Sequence, residues 1–198
     1  MHADVAGVLR IARLASTFDW TWTAEDLDRF CRTAGWTRPA TESTQMLLGT
    51  GLDLVVPRAF ACTNAGSISS IANTGLLLIS VPVAGQPTGS GDGWLESPGD
   101  AFATVAQRLI GPFGGPDRCT TGPMSSIAWL DLPNLVVSLE FDDDEIALWL
   151  RNPSYQEWLD KAIECDGDDD GDERSDDNVE QVTIERVDSS DWQVLAGG

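Results

Sequence analysis

Carboxylates are the chemically capable side chains that this sequence concentrates most strongly. The stretch CDGDDDGDERSDD, residues 165–177, holds eight acidic residues and one Arg. Read from Asp166, it matches an EF-hand calcium loop at positions 1, 3, 5 and 6, where oxygen ligands and a Gly are required. It departs at position 9, which is Arg174, and at position 12, where Asp177 is shorter than the Glu that closes such a site. We therefore expect a flexible, solvated acidic insertion over residues 164–180, with weak calcium binding of another kind as the alternative.

Nucleophilic and metal chemistry have little support elsewhere in the chain. The single histidine is His2, so any Ser-His-Asp or Cys-His site depends on it. The four cysteines are far apart and form no C-x-x-C pair, which argues against a zinc site and a disulfide scaffold. The chain also lacks the phosphate-binding pattern G-x-x-x-x-G-K-[ST]. We expect no catalytic residue, no cofactor and no metal site, and we keep a hydrolase that uses paired carboxylates as a third option.

The charge balance favours a basic protein as the partner. The chain has 32 acidic and 12 basic residues, a net charge of −20. Residues 164–180 contribute −9 of this, and the remainder is still −11. Such a surface disfavours nucleic acid, because the phosphate backbone requires cations, whereas opposite fields attract a basic protein.

The start of the chain resembles neither a signal peptide nor a membrane anchor. The sequence MHADVAGVLRIARLAS has no basic n-region and no unbroken apolar run. No apolar stretch in the chain reaches the ~18 residues that a membrane span needs. We expect a cytoplasmic protein that makes no membrane contact, and the sequence leaves the oligomeric state open.

Periodicity predicts helices and strands in separate blocks. Val5, Val8 and Ala12 follow helical spacing, and Thr23 with Asp26 resembles a capping box at the start of a second helix. QMLLGTGLDLVV reads as two strands around a Gly-Thr-Gly turn, and SISSIANTGLLLISVPV as another strand or strand pair. A third helix begins at Ser97-Pro98, and PSYQEWLDKAIEC forms a fourth.

The segment SSIAWLDLPNLVVSLEFDDDEIALWLRNP predicts three antiparallel strands with turns at 133–134 and 142–144. Alternation puts Leu139 and Leu148 on a buried face and Trp149 on the other, where either a second layer or a partner covers it. An acidic rim around an aromatic side chain is typical of a protein interface. The candidate partner-binding residues are Glu140, Asp142, Asp143, Asp144, Glu145 and Trp149.

The element order α-α-β-β-β-α-β-β-β-α(-β) predicts an α+β domain, an antiparallel sheet with helices packed on one side. We expect this domain to span residues 1–163. The acidic insertion follows at 164–180, and a late strand with a frayed C-terminus at 181–198.

Three segments carry a resemblance to a known family: RIARLASTFDWTWTAEDLDRFCRTAGW, DAFATVAQRLIGPFGGPDR and WLDLPNLVVSLEFDDDEIALWLRNPSYQEWLD. Over roughly residues 4–162 the chain resembles an uncharacterised actinobacterial family of small acidic proteins encoded near WXG-type and polymorphic-toxin genes. The resemblance rests on core and turn residues and does not include the acidic stretch.

The resemblance implies an immunity protein, an antitoxin that binds and neutralises a cognate secreted toxin. Together with the net charge of −20 and the absent catalytic groups, it leads us to expect a non-enzymatic protein that covers a basic active-site surface of the toxin. The block order is also similar to that of type III secretion chaperones. A cytoplasmic chaperone for a WXG-type effector is therefore the alternative.

Overall fold

The computed structural model describes residues 2–38, 44–64, 68, 75–85, 97–122, 124–142, 145–166 and 184–185. The helices in these ranges are α1 Val5–Thr17, α2 Ala24–Ala34, α3 Pro98–Phe113 and α4 Pro153–Asp166. The strands are β1 His2–Ala3, β2 Gln45–Gly49, β3 Arg58–Thr63, β4 Leu76–Gly85, β5 Arg118–Thr120, β6 Ser125–Leu132, β7 Leu135–Asp142, β8 Glu145–Arg151 and β9 Ile184–Glu185.

The strands form one antiparallel sheet in the order β2-β3-β4-β8-β7-β6-β5-β9, and the short β1 pairs with β4. The predicted class, an α+β domain with an antiparallel sheet, is confirmed, and α1, α2 and α3 pack on one side of the sheet as predicted. The remaining helix, α4, contacts the other side. None of the described helices is long and apolar enough to cross a membrane. The predicted insertion and C-terminal region fall largely outside the described residues.

The core lies between the sheet and these three helices. Val137, Leu139, Leu148 and Leu150 are fully buried on one face of β7 and β8, as their alternation predicts. They belong to the same apolar cluster as side chains from each of the three helices, such as Ile11, Phe30 and Leu109. Burial of this face fixes the strand register, because a shift by one residue would turn its apolar side chains outwards.

One predicted strand is wrong. The residues after the Gly-Thr-Gly turn form a loop, and the next strand starts only at Arg58. Leu52 and Leu54 are nevertheless buried, at 4% and 3% exposure. Gly51 has a φ of 66°, which turns the chain out of the extended conformation. The alternation that suggested a strand therefore comes from a loop that places two leucines in the core.

The predicted capping box at α2 is also wrong. Thr23 is the N-cap residue, but its side chain makes no capping hydrogen bond. The Asp26 side chain instead reaches the two residues that precede the N-cap. Its Oδ2 accepts hydrogen bonds from the amides of Thr21 and Trp22, both at 2.6 Å. Its Oδ1 lies 2.9 Å from Arg29 Nη2. Asp26 thus organises the turn between α1 and α2.

That turn connects α2 to the sheet. Trp22 has a φ of 58°, which is rare for a bulky residue. Its indole donates a hydrogen bond of 2.6 Å to the carbonyl of Asn134 in the β6–β7 turn, and its own carbonyl accepts one from Leu76 at the start of β4. Trp20 stacks on it with ring centroids 4.6 Å apart. The turn is therefore bonded both to the β6–β7 hairpin and to β4, the strand next to β8.

Candidate functional site

The candidate site lies on the face of the sheet opposite the core, which we call the second face. Cross-strand pairing places Ser138 opposite Trp149, Glu140 opposite Ala147, and Asp142 opposite Glu145. All of these residues alternate with the buried leucines of β7 and β8, so they share the second face. The predicted orientation of Glu140 and Trp149 away from the core is confirmed.

The predicted site residues differ in their surroundings. Asp142 and Glu145 are exposed at the end of the β7–β8 hairpin, whereas Glu140 and Trp149 are half-buried. Asp143 and Asp144 lie outside the described residues. The structure therefore brings four of the six predicted residues onto one surface, with two carboxylates facing water and two side chains held against the sheet.

Glu140 is engaged within the protein. Its Oε1 lies 2.7 Å from Arg151 Nη2 and accepts a hydrogen bond of 2.7 Å from the Ser138 hydroxyl. Arg151 Nη1 donates to the same hydroxyl at 2.8 Å. The guanidinium carbon of Arg151 also lies 4.8 Å from the centre of the Trp149 ring. Sequence reasoning missed Arg151, although its position two residues after Trp149 in the same strand is a usable signal.

A second layer covers part of this face. The α4 residue Gln156 accepts from Arg151 Nη1 at 3.4 Å and donates to Asp160 at 2.9 Å. Asp160 in turn pairs with Arg118 of β5 through two hydrogen bonds of 3.0 and 3.3 Å. Burial raises the pKa of Asp160, but the hydrogen bonds from Arg118 and Gln156 outweigh it and hold that pKa below its usual value. Polar links therefore attach α4 to the sheet.

The apolar side chains of α4 are only partly buried. Tyr155 and Leu159 are half-buried, and Trp158 remains 36% exposed while it stacks on Tyr155 at 5.8 Å. Trp149 is also half-buried. The second layer thus leaves part of the aromatic surface open to solvent.

Two of the described thiols, those of Cys31 and Cys62, are poor nucleophiles. Burial raises the pKa of Cys31 to about 11, although Arg38 opposes the shift. Burial also raises the pKa of Cys62. Both thiols are therefore protonated at neutral pH, and a thiol is far less nucleophilic than a thiolate. No group of three or more His, Cys, Asp or Glu side chains placed to hold a metal occurs within the described ranges.

Fold and site together define an α+β protein with an acidic and aromatic surface on the outer face of its sheet. The chain belongs to a family of unknown function, DUF6301, whose family model matches residues 6–152, from α1 to just after β8. No curated protein and no solved structure gives a significant match.

Proposed function

We propose that this protein is a non-enzymatic immunity protein, which binds a cognate secreted toxin and covers a basic surface at its active site. On this proposal it acts in the cytoplasm of the actinobacterial cell that makes the toxin, and its gene lies beside that of the toxin. The second face of the β7–β8 hairpin makes the contact, through Asp142, Glu145 and Trp149.

The observation that carries the proposal is the pairing of Asp142 with Glu145. These two exposed carboxylates lie directly opposite each other across the hairpin. Like charges in that position destabilise a sheet, so the free protein bears a small cost. A cationic group of a partner offsets that cost when it binds between them. The same pairing is difficult to explain by folding alone.

Trp149 supplies the apolar part of the contact. It lies on the same face, four residues further along β8, and keeps part of its ring exposed. Aromatic side chains of this kind provide most of the binding energy in many interfaces. Charge mainly raises the rate of association, and a buried anchor mainly lowers the rate of dissociation. The acids and the indole therefore have separable kinetic roles.

The direct test is co-expression with the toxin domain encoded beside this chain. We expect the toxin alone to arrest growth and the pair to grow normally, with a 1:1 complex recovered on purification. A toxin with an inactivated catalytic residue is the control, since it should bind equally well without arresting growth. Continued toxicity in the presence of this protein, or a harmless neighbour, contradicts the proposal.

Neutralising the hairpin acids should slow association. We expect Asp142→Asn with Glu145→Gln to lower kon for the inactive toxin about tenfold at low salt, to weaken its salt dependence, and to stabilise the free protein slightly. The matched control is Glu25→Gln with Asp131→Asn, which removes the same charge from exposed sites elsewhere. Stopped-flow kinetics across salt concentrations measures this, and equal effects of the two pairs argue against the hairpin as the contact.

A secretion chaperone for a WXG-type effector is the second candidate, and a separate apolar surface favours it. Leu47 in β2 is 56% exposed, and Val55 and Val56 in the following loop are 52% and 57% exposed. β2 ends the described sheet on that side. An extended effector segment can pack on such a surface. Substitutions at Leu47 should impair the chaperone and leave toxin binding unchanged.

A further inference from the structure

We propose that Arg151 is a positioning residue, which holds the Trp149 ring in one orientation so that the indole is ready to receive a partner. The first part of the proposal concerns the free protein, and the second rests on the proposed function. The basis is the guanidinium of Arg151, whose carbon lies 4.8 Å from the centre of the Trp149 ring. A cation at this distance from an indole face is attracted to it.

The guanidinium is itself fixed from three directions. Glu140 binds Nη2 at 2.7 Å, while Ser138 and Gln156 bind Nη1 at 2.8 and 3.4 Å. The Arg151 side chain is only 12% exposed, so water competes weakly for these bonds. The guanidinium is planar, and its N–H donors point outwards within that plane. Hydrogen bonds to Glu140, Ser138 and Gln156 therefore leave the face of the guanidinium free to lie on the indole.

The groups that hold Arg151 are held in turn. The Ser138 side chain is buried, with the residue 2% exposed, and its hydroxyl donates to Glu140 while it accepts from Arg151. Gln156 donates to Asp160, which pairs with Arg118 in β5. Trp149 is thus connected through Arg151 to both β7 and α4.

This arrangement changes the role of Glu140. Its Oε1 is already occupied by Arg151 and Ser138. Glu140 therefore affects a partner through Arg151 and Trp149, whereas Asp142 and Glu145 act on it directly. Substituting Glu140 should broaden the distribution of indole orientations and raise koff. Loss of the Asp142 and Glu145 carboxylates should instead lower kon.

An interface gains affinity when its aromatic side chain is already ordered in the free protein. A side chain that is ordered only on binding loses rotamer freedom at that moment, and this weakens the complex. A ring held in the bound orientation avoids most of that loss. We expect removal of the Arg151 contact to raise koff for the inactive toxin about tenfold and to leave kon nearly unchanged.

Fluorine NMR tests the clamp without any partner. The protein is labelled with 5-fluorotryptophan, and Trp149→Phe identifies the Trp149 resonance. We expect one narrow Trp149 line in the parent protein, and a shifted, broadened or split line in Arg151→Met. The matched control is Arg108→Met, an exposed arginine of α3 on the other side of the sheet, which should leave the line unchanged.

Conservative variants separate positioning from folding. Arg151→Lys keeps the charge but loses the fork, and Glu140→Gln keeps an acceptor but loses its charge, so both should give lines between those of the parent and Arg151→Met. These two variants carry the test if Arg151→Met does not fold, as judged by circular dichroism. A Trp149 line with unchanged position and width in all folded variants overturns the proposal.

Dissociation from the inactive toxin completes the test. Altered Trp149 lines together with an unchanged koff overturn the pre-organising role and leave the clamp as a feature of folding. If the parent protein binds no toxin, the proposed function fails, and the fluorine spectra still decide whether Arg151 holds the indole.

Discussion

Asp26→Ala should lower the free energy of unfolding by about 3 kcal/mol, because it leaves the amides of Thr21 and Trp22 without their acceptor. Asp26 is 1% exposed, and its carboxylate accepts from the amides of Thr21 and Trp22 and pairs with Arg29. The Trp22 amide is buried, so water cannot replace the lost bond. The substitution also releases the backbone of Trp22, which the carboxylate restrains at a positive φ. Urea unfolding followed by circular dichroism measures the change.

Glu25→Ala is the matched control for this prediction. Glu25 precedes Asp26 in the first turn of α2 and is exposed. Its removal therefore changes the net charge, and the charge at the start of α2, by the same amount as the removal of Asp26. We expect it to cost less than about 1 kcal/mol. Asp26→Asn should fall between the two, since an amide oxygen can still accept while its NH2 group faces Arg29. Equal costs for Asp26→Ala and Glu25→Ala would show that the turn does not depend on this carboxylate.

Trp149→Ala should raise koff for the inactive toxin at least about thirtyfold, which corresponds to about 2 kcal/mol of binding energy. The reason is that Trp149 is the large aromatic side chain on the second face of β8, four residues along the strand from Glu145. We expect kon to change little, because steering depends on charge. Trp149→Phe should have a smaller effect, since it keeps an aromatic face beneath Arg151. Surface plasmon resonance with the immobilised toxin measures both rates.

Leu47→Ala is the control for this second prediction. Leu47 is also a large apolar side chain on the second face, but it lies in β2 at the end of the described sheet. Toxin dissociation should be unchanged in this variant. The opposite pattern, with Leu47→Ala impairing binding and Trp149→Ala leaving it intact, would favour the chaperone hypothesis and move the interface to β2.

The β6–β7–β8 meander was predictable because its pattern is local. Strict alternation and two short turns define the strands, and burial of one face fixes their register. The placement of Glu140 and Trp149 on a common face followed from that alternation, whereas the direct pairing of Asp142 with Glu145 was learned from the structure. Helices α1 and α3 were predictable for the same reason, since helical spacing and a cap are features of neighbouring residues.

The errors occurred where distant contacts decide the local structure. Leu52 and Leu54 alternate like a strand, yet they lie in a loop that fills the core. Asp26 has the spacing of a capping box, yet its carboxylate bonds to amides on the other side of the N-cap. In both cases the sequence pattern indicates which residues are buried or polar. It does not specify which residues of the same chain they contact.

The amino-acid sequence by itself determined the strongly acidic character, the α+β class and the face on which Glu140 and Trp149 lie. These properties depend on composition and on the spacing of nearby residues. Only the tertiary structure decided that Glu140 bonds to Arg151, that Arg151 lies on Trp149, and that α4 joins them through Gln156. The reason is physical: such contacts depend on side-chain geometry between strands and a helix, and alternation along one strand carries no information about it.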